Sequence, residues 1–316
     1  MKVVFMGTPE LAAVALKKLI GSRHEVLAVV TQPDKASGRG RSVKYSPVKE
    51  TALEAGIPVL QPVSIRNGDC KEEICALGAD VFVVAAFSQL LPRWFLEIPP
   101  YGCINIHPSL LPKYRGASPL RGPIIEGDAD YGVTIMKMAE QLDAGDILLQ
   151  KAFPMGAKET ILTLTPKAAE IGAEMLLETL EGMEKGTLVP VPQNDAESSY
   201  IRQLDKEDGR IHFENSAAQI ERQIRACDPW PSAFTKLSGK TFKIWDADVV
   251  SAEEAENKED DVPPGSVVYA DKKSLYVKCG EGCLKLNEVQ MEGKKRMGIE
   301  EFLRGKKLVK GFLFGE

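Results

Sequence analysis

A chain of 316 residues is longer than one ordinary hydrophobic core, so two domains are expected. A composition 44% hydrophobic and 27% charged excludes a disordered chain, and no stretch reaches the roughly 20 apolar residues that a bilayer span takes. The formal net charge of −5 speaks against a nucleic-acid partner when taken alone, but phosphate contacts need one basic surface rather than a basic average.

In chain order, Val3 to Met6 is a short apolar strand closed by Gly7, Thr8 and Pro9. The apolar run after Met1 is too short for a signal peptide, which points to the cytoplasm. Thr8 is the expected cap, and Pro9 the first residue, of a helix that continues from Glu10 to Ile20. A dinucleotide fold would carry Gly-x-Gly-x-x-Gly at this turn. Two of those glycines are missing, which speaks against a nicotinamide cofactor. Val26 to Thr31 is the next strand, followed by a polar, glycine-containing loop from Gln32 to Tyr45. Helices are expected at Pro47 to Ala55 and Lys71 to Leu77, and strands at Pro58 to Leu60, Val81 to Ala86 and Cys103 to His107. This alternation, with nearly continuous apolar strands, predicts a Rossmann-like α/β domain, a mostly parallel sheet with helices on both faces. Val133 to Met136 and Ile147 to Leu149 read as later strands, antiparallel to each other, and Thr163 to Leu180 as a helix.

After Gly186 the texture changes. Two prolines between Thr187 and Asn194 mark an extended linker. Further on, a helix from Ser216 to Ala226 precedes short strands at Thr241 to Trp245, Gly265 to Tyr269, Ser274 to Cys279 and Cys283 to Val289. Closely spaced short strands predict a small OB-like β-barrel. An acidic run, Glu253 to Asp261, separates two of them. The expected division is a catalytic domain at 1–187, a linker at 188–204 and a barrel domain at 205–316. The six cysteines read as free thiols. Zinc at Cys279 and Cys283 lacks a histidine at matching spacing, and no metal is expected.

The densest chemical signal lies at Asn105 and His107. Residues two apart in a strand share a face, and Pro108 ends the ladder beside them. Ligands of open α/β sheets sit at the carboxyl ends of strands, so an amide and an imidazole there suit the polarising of a carbonyl. Asp143 follows in a loop, and a carboxylate beside an imidazole favours its charged form. Spacing alone equally allows Asn105 and His107 to cap a strand and Asp143 to form a turn.

The run from Asn105 to Gly116, Asn-x-His-x-Ser-Leu-Leu-Pro-x-x-Arg-Gly, followed by Asp143, Ala144 and Gly145, resembles the signature of the folate-dependent formyltransferases. The resemblance implies a catalytic trio of Asn105, His107 and Asp143. It also implies 10-formyltetrahydrofolate as donor, attacked directly by an amine without metal or covalent intermediate. Asn105 and a charged His107 would donate hydrogen bonds to the developing oxyanion. A folate site would be drawn largely from backbone at Phe87, Ser88, Gln89, Leu90 and Leu91, at Ser109, Leu110, Leu111 and Pro112, and at Glu140, Gln141 and Leu142. Beyond the resemblance, Leu90, Leu91 and Ile104 could supply an apolar lining or equally be ordinary core.

The acceptor is suggested by Lys35 to Lys49. This basic segment resembles the insertion by which methionyl-tRNA formyltransferases engage the tRNA acceptor end. Lys35, Arg39, Arg41 and Lys44 are the implied tRNA contacts, with Arg39 foremost, since arginine forks onto phosphate and stacks on bases. The stretches Met6 to Glu10 and Cys227 to Pro231 are also similar to that family. A monomer working on initiator methionyl-tRNA, with the barrel domain binding tRNA, is the implied picture. Leu11, Phe87, Ser88 and Pro108 depart from residues common in relatives. Alternatives are an amino-sugar nucleotide formyltransferase, a formyl-folate hydrolase, and an idle RNA-binding protein on the same scaffold. A second basic segment, Lys294 to Lys310, reads as solvated surface.

Overall fold

The computed structural model describes residues 1–37, 42–250 and 262–315. The chain divides into two compact units, one of Met1–Leu120, Asp130–Pro154 and Leu164–Arg202, the other of Arg121–Ala129, Met155–Thr163 and Gln203–Glu316. The acidic run expected at 253–261 lies outside the described residues.

The first unit begins with β1 (Lys2–Gly7), α1 (Glu10–Ile20) and β2 (Glu25–Val30). A short hairpin, β3 (Lys35–Ser37) and β4 (Ser42–Lys44), precedes α2 (Pro47–Glu54), β5 (Val59–Leu60), α3 (Lys71–Ala76) and β6 (Val81–Ala85). Then come α4 (Arg93–Leu96), β7 (Cys103–His107) and β8 (Arg115–Gly116). α5 (Arg121–Glu126) belongs to the second unit; β9 (Asp130–Lys137), β10 (Ile147–Pro154), α6 (Ile161–Lys185) and β11 (Tyr200–Ile201) follow it.

The main sheet runs β10-β9-β7-β6-β1-β2-β5. β7 through β5 are mutually parallel, and the β9–β10 hairpin adds two strands beside β7, with β9 antiparallel to it. Val3 to Met6 and Val81 to Ala85 are buried throughout, which is why both stretches are unbroken apolar runs. Strand order reverses at β1, so the carboxyl ends of β1, β6 and β7 form the edge where such sheets hold ligands. α1 starts one residue later than expected. Pro9 is its cap residue and Thr8 makes no side-chain cap, its hydroxyl instead meeting that of Thr31 at 3.4 Å. The loop expected from Gln32 to Tyr45 holds the paired strands β3 and β4, and Ser46 caps α2 just after them. Gly172 of α6 lies against Ile106: a Cβ there would fall 2.7 Å from its side chain, so glycine lets the helix seat close on β7. Residues 188–202, expected within the linker, belong to this unit.

The second unit contains α7 (Ala217–Cys227), β12 (Ala233–Leu237), β13 (Lys240–Val250), β14 (Val267–Ala270), β15 (Leu275–Lys278), β16 (Cys283–Met291), β17 (Met297–Gly298) and α8 (Ile299–Gly305). Its antiparallel sheet runs β12-β13-β16-β15-β14, with β17 beside β16. The chain end spans the two edges. Val267 N–H donates to Phe312 C=O (2.8 Å), Phe314 N–H to Gly265 C=O (2.9 Å) and Gly315 N–H to Lys236 C=O (3.0 Å). α7 opens on a reciprocal capping box between Ser216 and Gln219 and packs Ile220 and Ile224 into the core with Phe242, Leu286 and Phe302. β12, β17 and α8 have no counterpart among the elements expected from sequence. Cys279 and Cys283 are buried and not joined in a disulfide, and burial pushes the Cys279 thiol up to about 12. Among the described residues, no helix is long and apolar enough to cross a membrane.

Candidate active site

β7 delivers Asn105 and His107 to one face at its carboxyl end, both buried. Beyond it the chain turns back on itself. Thr134 of β9 and Gln150 of β10 pin that turn. Thr134 Oγ1 donates to Ser109 C=O (2.7 Å), and Gln150 Nε2 donates to Thr134 Oγ1 (2.8 Å) and Leu111 C=O (2.9 Å). Tyr114, at φ +62, is thereby placed with its carbonyl 3.1 Å from His107 Nε2. A carbonyl only accepts, so the proton of a neutral His107 is assigned to Nε2.

The other ring nitrogen faces the carboxylate. His107 Nδ1 lies 3.8 Å from Asp143 Oδ2, and that same oxygen accepts the Gly116 N–H at 2.8 Å. Burial pushes the imidazole below its ordinary 6.5, opposed by the Asp143 charge and the Tyr114 carbonyl. Desolvation is the larger effect, so in the ligand-free protein burial works against the charged form that Asp143 is expected to favour. Among the described residues nothing hydrogen bonds to the Asn105 carboxamide.

The expected folate residues separate into two groups. Phe87 and Leu91 belong to the apolar core, and Ile104 and Leu111 are buried as well. Gln89 is a clamp: its Oε1 accepts the Ile65 N–H and its Nε2 donates to Pro62 C=O. Ser109 donates to Lys113 C=O. Leu110 packs over Gly132, and Pro112 is partly exposed. Ser88, Leu90, Glu140, Gln141 and Leu142 are exposed. Beside Glu140, a cavity of about 480 Å³ is lined by Arg93, Leu96, Lys137, Met138 and Ala139 among others.

In the basic segment, Arg39 and Arg41 lie outside the described residues. Lys35 and Lys44 pair across the base of the β3–β4 hairpin, and Lys44 is exposed. Lys49 is committed internally, donating to Asp34 (2.5 Å) and Gln61 (2.8 Å) and lying over the Tyr45 ring. Sequence reading missed Arg115 as a fully buried side chain and Gln193, which donates to the carbonyls of Asp143 and Gly145. Gln193 stands in the segment read as linker, and no local pattern ties it to a loop some fifty positions earlier.

The fold and this site together define a Rossmann-like α/β enzyme whose polar residues gather at the carboxyl edge of its sheet. Residues 1–180 match the family model described as formyl transferase, and residues 203–307 match that of the formyl transferase C-terminal domain. Methionyl-tRNA formyltransferase of Lachnospira eligens is 51% identical over 316 residues, covering 100% of both chains. That of Caldanaerobacter subterraneus subsp. tengcongensis is 46% identical over 312 residues, covering 98% of this chain and 99% of its own. Among solved structures, an N-formyltransferase from Helicobacter canadensis in complex with folinic acid and dTDP-3-aminofucose has a TM-score of 0.68 at 19% identity, covering 92% of this chain and 99% of that one. HypX from Aquifex aeolicus in complex with tetrahydrofolic acid has a TM-score of 0.61 at 20% identity, covering 99% of this chain and 50% of that one. The chain belongs to the formyl transferase family.

Proposed function

We propose that this protein transfers the formyl group of 10-formyltetrahydrofolate to the α-amino group of methionyl-initiator tRNA, in the cytoplasm and as a monomer. The carrying observation is the full-length likeness to methionyl-tRNA formyltransferases, with the signature residues Asn105, His107 and Asp143 intact. The first unit, which includes residues 188–202, carries catalysis, and residues 205–316 bind tRNA. Lys35, Arg39, Arg41 and Lys44 meet the acceptor end.

Asn105 donates its unpartnered N–H groups to the oxygen that gains charge as the amine attacks the formyl carbon. His107 Nδ1 and Asp143 Oδ2 both face the gap between them as acceptors, which suits them to take the proton that the amine loses. His107 becomes an imidazolium balanced by Asp143. The proton then passes to the folate nitrogen as the carbon–nitrogen bond to the carrier breaks. One carbon–nitrogen bond forms, one breaks, and no metal is called for. The cavity beside Glu140 has a volume suited to a pterin-sized group. The loops at Phe87–Leu91, Ser109–Pro112 and 140–142 surround the donor.

Mass analysis of methionyl-tRNA incubated with the protein and 10-formyltetrahydrofolate tests the reading. Addition of one formyl group supports it. Formylation of an amino-sugar nucleotide instead, or release of formate without transfer, overturns it.

A further inference from the structure

The segment from Val191 to Ile201 is tied along its length to the loops that carry the site. Val191 exchanges backbone hydrogen bonds with Ile147, and β11 pairs in parallel with β8. Between these anchors Gln193 spends its whole carboxamide. Nε2 donates to the carbonyls of Asp143 (2.9 Å) and Gly145 (2.7 Å), and Oε1 accepts from Arg115 Nε (3.1 Å) and Nη2 (2.8 Å). These are all the donors and acceptors a carboxamide has. Turned over, it would set N–H against guanidinium and oxygen against carbonyl, so a single orientation satisfies the network. Arg115 is fully buried, with Asp195 and Tyr200 as its further partners. Burying a guanidinium is costly, and apolar residues of similar volume often stabilise a fold as well, so its presence calls for a task beyond stability.

The task lies at Asp143. Its φ of +51 is left-handed backbone, which an L side chain adopts under restraint. The restraints are the Gly116 amide on its carboxylate and Gln193 on its carbonyl. We propose that Gln193 is a positioning residue through which Arg115 holds the backbone of Asp143, so that the carboxylate stays turned toward His107. Gln193 touches no reacting atom. The inference rests on the formyl-transfer reading for its rate measurement, but its titration measurement does not.

Gln193→Glu keeps the acceptors for Arg115 and replaces both N–H donors with oxygen. Single-turnover formylation is expected to fall by up to about 100-fold, the scale at which a misplacement of about 1 Å is felt. The KM for methionyl-tRNA should stay within about twofold, since the proposed tRNA contacts, Lys35 to Lys44, belong to another segment. In Gln193→Ala, which adds no charge, the His107 imidazole, followed by nitrogen NMR without any substrate, should titrate at lower pH than in wild type, because the Asp143 charge that raises it has moved away. An unmoved His107 titration overturns the proposal whatever the rate does, and so does a wild-type rate. If the glutamate variant does not fold, the rate too is read in Gln193→Ala. An inactive wild type with a shifted titration in the variant sinks the functional reading and leaves the positioning role standing.

Discussion

His107 Nδ1 and Asp143 Oδ2 face each other at 3.8 Å, beyond direct hydrogen-bond reach, while the ring's other nitrogen is committed to the Tyr114 carbonyl. In the neutral tautomer both facing atoms are acceptors, so the gap suits an N–H brought by a substrate. His107→Ala is expected to nearly abolish single-turnover formyl transfer while fold and tRNA binding persist. Asp143→Asn should be comparably damaging, since a neutral amide cannot balance an imidazolium. Unchanged turnover in either variant removes that residue from the mechanism.

Asn105 is buried and its carboxamide has no partner among the described residues, an arrangement that leaves its donors for a ligand. Asn105→Ala should lower kcat/KM about 10²- to 10³-fold, or ~2.7–4 kcal/mol of transition-state stabilisation. The loss should appear in kcat, with tetrahydrofolate affinity nearly unchanged. A loss confined to KM would assign Asn105 to substrate binding instead.

Stability should fall on the acid side. The His107 pKa is lowered in the folded protein, so below the ordinary 6.5 the unfolded chain takes up a proton that the folded chain resists. The contribution is fully present above that value and is lost as pH falls toward the folded pKa. His24 has the same sign and stays in every variant. His107→Gln should therefore flatten, without abolishing, the decline of Tm between about pH 7 and pH 5. A variant curve parallel to wild type would place the acid sensitivity elsewhere.

Gly145 admits no side chain, since a Cβ there would fall 1.7 Å from the Lys137 carbonyl oxygen. Backbone cannot yield as a flexible side chain can, so Gly145→Ala must displace the loop that bears Asp143. A stability loss of about 1–3 kcal/mol is expected from the overpacking. The single-turnover rate should fall about tenfold or more as the carboxylate moves. A variant with wild-type rate would show that the loop tolerates displacement.

Arg39→Ala and Arg41→Ala should weaken kcat/KM for methionyl-tRNA and leave tetrahydrofolate affinity unchanged. For each duplex phosphate that a variant no longer neutralises, the log–log salt dependence should flatten by ~0.9. Lys49→Ala should behave differently. Its ammonium is engaged with Asp34 and Gln61, so its removal should loosen the base of the hairpin without changing the salt slope. Equal losses in tRNA use and tetrahydrofolate binding for the arginine variants would mean that the segment shapes the donor site.

Local pattern determined a great deal of this protein. The unbroken apolar runs of β1 and β6 report burial on both faces, and the signature from Asn105 to Gly116 carries the reaction class, because both are properties of neighbouring residues. Tertiary structure alone decided the rest. The balance at His107 depends on how the fold encloses the ring, and burial is a larger effect there than the Asp143 carboxylate. Leu91 and Ile104, which sequence left open between folate lining and core, are buried, and an apolar residue next to a motif has the same pattern in either place. Arg115 and Gln193 meet across 78 positions. Hydrogen bonds between side chains so far apart leave no periodicity in the sequence, and they form only when the fold has brought their backbones together.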